Sequence, residues 1–432
     1  MRLRLAALAV GVAACAVALP IAAAEPALSS NILTLHDAFA RVADSHPDLR
    51  LFGPRSEVLA AERDRAAMRP ALVAAATVEN AFGTGDVRGL KGAELTLTLA
   101  GVLERGGKLD ARRTLAQSRI DALAIERETR RLDLLAEVAR RYLAVVAAQR
   151  QRAIAEEDIV QRERTVAGAR QRLQAGASPE SVVLTAQVAL ARAELDRARA
   201  KQRAQAARQH LAALWGVRNP EFEVAAVTPT ALPAIADLDA LGAWLERTPE
   251  LEQFAGEQRI REARLQLART HASADVSWQV GARRLQFTDD TALVGSLSLP
   301  LGSSRSAQPG IRAAEAELVS LEIERESKGL ALYSTLTEAH GRYLAAQLEV
   351  GRLQDDILPK LAKAEAAAER AYRAGAISYL EWAQLQSERT NARKQQLDVA
   401  LDAQRALIEI QRLTGQAFVA GPTVPTAQGI SP

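Results

Sequence analysis

The sequence predicts a mainly α protein with a small β part, built as duplicated long helical hairpins plus two β-hairpins. Three observations carry this. "RQRLQAGASPESVVLTAQ", Arg170 to Gln187, returns two hundred residues later as "RAYRAGAISYLEWAQLQ", Arg370 to Gln386. From Lys108 to Ala167 there are sixty residues with neither Gly nor Pro. Four short stretches alternate apolar and polar side chains, and they come in two pairs.

The repeat extends through the chain. With Gly176 set on Gly375, Ala175 pairs with Ala374, Ala177 with Ala376, Leu214 with Leu413 and Gly216 with Gly415. Upstream, "RYLA" at Arg141 returns at Arg342, and "HPDLRLF" at His46 returns as "TPELEQF" at Thr248. A unit this long is a duplicated half and not a solenoid repeat. The chain divides into a leader (1–24), a first repeat (25–216), a linker (217–236), a second repeat (237–415) and a tail (416–432). The first repeat holds a β-hairpin at about 71–104 and a helical hairpin at about 108–215; the second holds them at about 274–301 and 311–414.

The leader, "MRLRLAALAVGVAACAVALPIAAAEPA", has two arginines, an apolar run and small residues before Ala24, the pattern of an export signal peptide cut after Ala24. A rival reading makes Cys15 a lipidated first residue. It would leave "AVALPIAAA" on the mature protein. With cleavage at Ala24 no cysteine remains, so neither disulfides nor thiol chemistry is available.

Helix 108–167 is expected to reach about 90 Å at 1.5 Å per residue. Its apolar positions are Leu132, Leu135, Val138, Tyr142 and Val146. The counterpart in the second repeat carries a coiled-coil seam at Leu336, Ala339, Tyr343, Ala346, Val350, Leu353 and Ile357, and Pro359 is expected to bend or interrupt it. The returning helices run from about Glu180 to Trp215 and from about Ile377 to Thr414, the latter with a seam at Val399, Ala403, Ala406, Ile410 and Leu413. Between the arms of each hairpin, Gly176 and Gly375 supply the positive φ that ends a helix at little cost.

"ALVAAATVENAF" with "GAELTLTLAGVLE", and "ADVSWQVGARRLQF" with "TALVGSLSLPL", read as β-hairpins with polar tips. Each strand is about ten residues long, enough to cross a bilayer at a tilt. Outside the leader no apolar run is long enough for a membrane helix. Four strands cannot close a barrel, so strands that span a membrane require several chains to share one barrel. The alternative is a water-soluble four-stranded sheet on a helical stalk.

Several function classes are excluded. Removing Arg2 and Arg4 with the acid-free leader leaves 53 basic and 52 acidic residues, which is too balanced for nucleic-acid binding. "GTGDVRG", Gly83 to Gly89, has Arg88 where a dinucleotide loop needs Gly, and it lies between strands. No enzyme motif is present, so no catalytic residue or cofactor is expected. His36, His46, His210, His271 and His340 are scattered without ligand spacing, so no metal site is expected either. "TLHD", Thr34 to Asp37, reads as a capping box. Glu180 and Glu381 follow the two turns as helix-start carboxylates favoured by the dipole; in a ring of chains they would become rings of negative charge.

Together the signal, the duplication, the two strand hairpins, the two helical hairpins and the "AGA" turns resemble the TolC family of outer membrane efflux channels. "NAFGTGDVRGLKGAELTLTLAGVLERGGK" and "ADVSWQVGARRLQFTDDTALVGSLSLPL" are most similar to the CzcC-type branch that serves heavy-metal pumps. "AGVLERGGK" and "PLGSSRSAQPG" depart from that branch's usual runs. The resemblance implies a homotrimer whose chains each give four strands to one outer membrane barrel, in contact with lipid, and their long helices to a periplasmic coiled-coil tunnel. It implies a periplasmic adaptor docked on the turns, at Arg172, Ala175, Gly176 and Ala177 and at Arg373, Ala374, Gly375 and Ala376. An inner membrane pump of the RND type would drive export, and the entrance or gate would fall near Glu180 and Glu381. The same channel serving drugs or secreted polypeptides, and a periplasmic coiled-coil scaffold that is no channel, are the competing readings.

Overall fold

The computed structural model describes residues 32–418; the leader, Cys15 and the tail beyond 418 lie outside the described residues. The first repeat begins with β1 (Ile32–Leu33), α1 (Leu35–Ser45), α2 (Pro47–Arg50) and α3 (Phe52–Ala66). It continues with β2 (Val73–Glu79), β3 (Glu94–Leu103), α4 (Lys108–Gln174) and α5 (Glu180–Ala212). The linker contributes β4 (Glu223–Val224). The second repeat holds α6 (Leu238–Leu245), α7 (Pro249–Thr270), β5 (Val276–Leu285), β6 (Asp290–Ser298), α8 (Ser303–Arg352), a π-turn at Leu353–Ile357, α9 (Leu358–Arg373) and α10 (Tyr379–Thr414).

Local chemistry sets many of the boundaries. Thr34 and Asp37 form the expected capping box on α1, and Ser378 with Glu381 forms another on α10. Ser378 is therefore a cap outside the helix, and α10 starts at Tyr379 and not near Ile377. The hairpin expected from about 311 begins earlier, at Ser303, with Pro309 inside α8. Pro309 costs one backbone bond, but it sits in an exposed early turn where water reaches the freed Arg305 carbonyl.

Pro359 interrupts the seam as expected, and it does so through the π-turn just before it. Widening one turn accommodates a ring that would otherwise strike the carbonyl four residues back. The wider turn also rotates the following residues. Leu336, Tyr343, Val350 and Leu353 are buried, yet Ile357, assigned to the same seam, is 41% exposed.

α4 is 67 residues long, about 100 Å at 1.5 Å per residue. It packs against α5, α7, α10 and α3, so it buries more than one stripe: Leu134 and Ala136 are buried beside Val138, Tyr142 and Val146, while Leu132 and Leu135 are only half-buried. The repeated "RYLA" has a structural purpose. Tyr142 donates its hydroxyl to the Leu33 carbonyl at 3.1 Å, and Tyr343 donates to the Pro233 carbonyl. Each tyrosine ties the segment that leads into its repeat to a long helix, Tyr343 through the linker, and burial pushes both hydroxyls up to about 12. β1 and β4 pair in parallel across the same core, with Leu33, Val42, Val145, Leu211 and Val224 inside it. Two-residue strands are too short to leave a sequence pattern, and these were not anticipated.

The second sheet is antiparallel in the order β2-β3-β5-β6. The two sequence hairpins thus join through β3 and β5, leaving β2 and β6 as unpaired edges. Among the described residues no helix is long and apolar enough to cross a membrane.

Candidate functional site

The sheet forms one end of the molecule and the helical turns form the other. In the sheet, the register places Thr77, Thr96 and Arg283 side by side, with Glu79 opposite Glu94 and Gln279 opposite Ala100 on the same face. The other face carries Leu95, Leu97, Leu99, Val280, Leu293 and Leu297, all exposed. Alternation along extended strands thus yields one apolar face and one polar face, both open to the surroundings. A membrane barrel needs this division, with lipid outside and water within.

Two glycines shape the sheet. A Cβ on Gly101 would come within 2.8 Å of the Trp278 ring, which lies across it on the apolar face. One on Gly281 would collide with the Leu97 carbonyl oxygen, so β3 and β5 approach closely there. Below the sheet, Lys108 Nζ meets Asp275 Oδ1 at 2.7 Å and the Arg105 N–H donates to the same oxygen at 3.1 Å. This joins the exit of β3 and the start of α4 to the entry of β5.

At the far end, Gly176 (φ +71°) and Gly375 (φ +79°) close α4 and α9 in the same way. The Ala177 N–H donates to the Arg172 carbonyl at 2.8 Å and the Gly176 N–H to that of Leu173 at 2.9 Å. Ala376 and Gly375 do the same to Ala371 and Tyr372. Ala175, Gly176, Ala177, Ala374, Gly375 and Ala376 are all exposed, so both turns present bare backbone and methyl groups.

The paired arginines differ. Arg373 is exposed and paired only with Glu369 one turn back. Arg172 turns inward: it donates to the Tyr372 carbonyl, and its guanidinium carbon lies 4.7 Å from the centre of the Tyr372 ring. Of the two arginines expected at the docking turns, Arg172 is therefore only half-exposed, because an aromatic ring of the neighbouring hairpin offers its charge a better surface. Glu381 is a cap residue whose carboxylate accepts from the Ser378 N–H at 2.8 Å; that bond holds it below the usual carboxylate range. Glu180 opens α5 behind Pro179 with no cap bond, and it is exposed. The two acids thus occupy unlike positions.

Tyr372, Tyr379 and Trp382 were not singled out in the sequence. Tyr372 stacks on Trp382 at 5.0 Å and meets Tyr379 edge-on at 6.2 Å, all three buried with Val166, Ala169 and Val183 of the first hairpin. The usable signal was composition: three aromatics sit close together in a chain that is only 4% aromatic. Among the described residues no group of His, Cys, Asp and Glu is placed to hold a metal ion.

Comparison with known proteins accords with this geometry. Residues 57–217 match the family described as outer membrane efflux protein. Over those residues the chain is similar to an outer membrane efflux protein domain. It is 26% identical over 314 residues to the cobalt-zinc-cadmium resistance protein CzcC of Cupriavidus metallidurans, covering 73% of this chain and 75% of that protein. Among solved structures, CusC superposes with a TM-score of 0.73 at 17% identity, covering 89% of this chain and 92% of CusC. A membrane protein from Pseudomonas aeruginosa gives 0.75 at 20% identity, covering 89% and 94%. The open state of the Neisseria gonorrhoeae MtrE outer membrane channel gives 0.69 at 16% identity, covering 90% of each. The fold is that of these outer membrane channels. Outer membrane efflux proteins are transport proteins and not enzymes.

Proposed function

We propose that three copies of this chain form the outer membrane conduit of a tripartite efflux system for heavy-metal cations, with a periplasmic adaptor and an RND-type inner membrane pump. The sheet carries the reading. Its two faces suit lipid and water, and its free β2 and β6 edges leave backbone groups that a bilayer does not tolerate unpaired. Pairing β2 of one copy with β6 of the next closes a barrel of twelve strands in a trimer. Exposed apolar stripes on the helices fit the same assembly: Leu184, Val188 and Leu195 on α5, and Ile323, Leu330 and Leu348 on α8. Each would be covered by a neighbouring copy.

The conduit is passive. The exposed turns at Ala175–Ala177 and Ala374–Ala376, with Arg373 beside the second, form the adaptor-docking surface. Glu180 and Glu381 stand at the periplasmic entrance. The likeness to CzcC supports metal cations as cargo, and selection among them belongs to the pump, since the described residues hold no metal-ligand group.

The experiment is complementation. In an efflux-deficient outer-membrane host with its cognate adaptor and pump, this chain is expected to restore resistance to cobalt, zinc or cadmium and to run as a trimer after crosslinking in detergent. Arg373→Glu should keep the trimer and lose adaptor crosslinking and resistance. A monodisperse monomer, or full resistance with Arg373→Glu, would count against the assembly and the docking surface respectively.

A further inference from the structure

Charge on the polar face of the sheet is confined to one level. Arg283 lies across β3: its Nη1 meets Glu94 Oε2 at 3.0 Å, its Nη2 meets Glu79 Oε2 at 3.4 Å, and its Nε donates to Thr96 Oγ1 at 3.1 Å. The guanidinium covers Thr96, which is only 6% exposed in a sheet otherwise open on this face. Asn80 Nδ2 donates to the second Glu94 oxygen at 3.0 Å. The register adds Asp290, opposite Leu285 and therefore on the same face, exposed and outside every ion pair among the described residues. Nearer the helices the face carries Thr98, Gln279, Ser277, Ser296 and Ser298 among small apolar residues, and no charge.

We infer that Glu79, Glu94, Arg283 and Asp290 form a charge collar at the outward end of the barrel lumen and set the ion preference of the exit. The inference rests on the conduit reading above. Three acids against one arginine leave a net charge of minus two per chain at this level. Arg283 has a specific part: it holds two carboxylates flat against the wall and cancels the charge of one, which leaves one shared glutamate charge on the wall and the unpaired Asp290 beside the path. A trimer repeats the arrangement three times around an opening with neutral walls beneath it, so the collar is the level at which the strands' polar face carries its charge. It discriminates by sign, as charged rings do in pores. Ligation has no part in it.

The test is conductance of the purified full-length channel in planar bilayers, read as the zero-current potential across a potassium chloride gradient. In water, a unit charge about 8 Å from a passing ion favours one sign about twofold and disfavours the other about twofold, so each charge changed should move the cation-to-anion permeability ratio by about fourfold at low salt. Glu79→Gln with Glu94→Gln removes two negative charges per chain and should lower the ratio. Arg283→Gln adds one net negative charge and should raise it. Asp290→Asn touches no ion pair and should lower the ratio even if the paired variants assemble poorly. Opposite shifts that vanish in molar salt support the collar. Equal or absent shifts in a conducting channel, or a ratio that moves only with Glu180→Gln and Glu381→Gln, overturn it and leave the conduit standing. A wild-type protein that inserts without conducting overturns the conduit reading and the collar with it.

Discussion

Replacing Arg172 by Glu should unseat the second hairpin tip, whereas the same change at Arg373 should not. Arg172 makes a charge-assisted hydrogen bond to the Tyr372 carbonyl, a type worth about 1.5–3 kcal/mol when lost. Its cation–π contact with the Tyr372 ring adds about 0.5–2 kcal/mol. Because Arg172 is only half-buried, we take the lower part of the combined range, about 2–4 kcal/mol. The loss is local, since Tyr372 is the ring on which Tyr379 and Trp382 pack. At 1.4 kcal/mol per tenfold, opening of this tip should become about 30- to 700-fold more frequent. Arg373→Glu instead sets two carboxylates one turn apart on an exposed helix end, at a cost of about 0.5–1.5 kcal/mol. Hydrogen exchange read by mass spectrometry on detergent-solubilised protein, over peptides spanning Tyr372 to Gln386, separates the two. Protection there should collapse in the first variant and change by about tenfold or less in the second. Equal protection in both would refute the view that Arg172 clamps the tips together.

The ion pairs around Glu409 and the close approach in the sheet lead to two more tests. Burial works to raise the Glu409 carboxyl, but Arg412 at 2.9 Å and Arg140 at 2.6 Å outweigh it and hold it below the usual carboxylate range. A depressed folded pKa stabilises above the ordinary carboxylate pKa and is lost as pH falls through the depressed value; melting temperature in detergent should therefore drop below about pH 4. Glu409→Gln should be less stable at pH 7 and flatten that acid slope, and an unchanged slope would remove Glu409 from the account. Gly281→Val puts a branched side chain against the Leu97 carbonyl and Thr98; it should abolish the proposed crosslinked trimer while leaving the helical signal in circular dichroism intact, and a normal trimer would show that β3 and β5 do not need the close approach.

The sequence by itself determined the long helices, the strand hairpins and the turns between them, because those depend on neighbours along the chain. Positive-φ glycines at 176 and 375, the cap residue Thr34, the Pro359 interruption and the alternation of β3 can each be read within a few residues. Duplication was visible for the same reason: it is a statement about order. Tertiary structure decided what no local window contains. It chose β3 and β5 as the inner pair and left β2 and β6 as edges; it turned Arg172 toward Tyr372 and left Arg373 in solvent; it laid Arg283 across Thr96 to two glutamates of the first repeat, far away in sequence. The physical reason is that periodicity fixes which face of an element is apolar or charged, while the partner of that face depends on how distant segments pack. Two arginines with the same local setting, each in the last turn before a glycine, are indistinguishable until one of them finds an aromatic ring on the neighbouring hairpin.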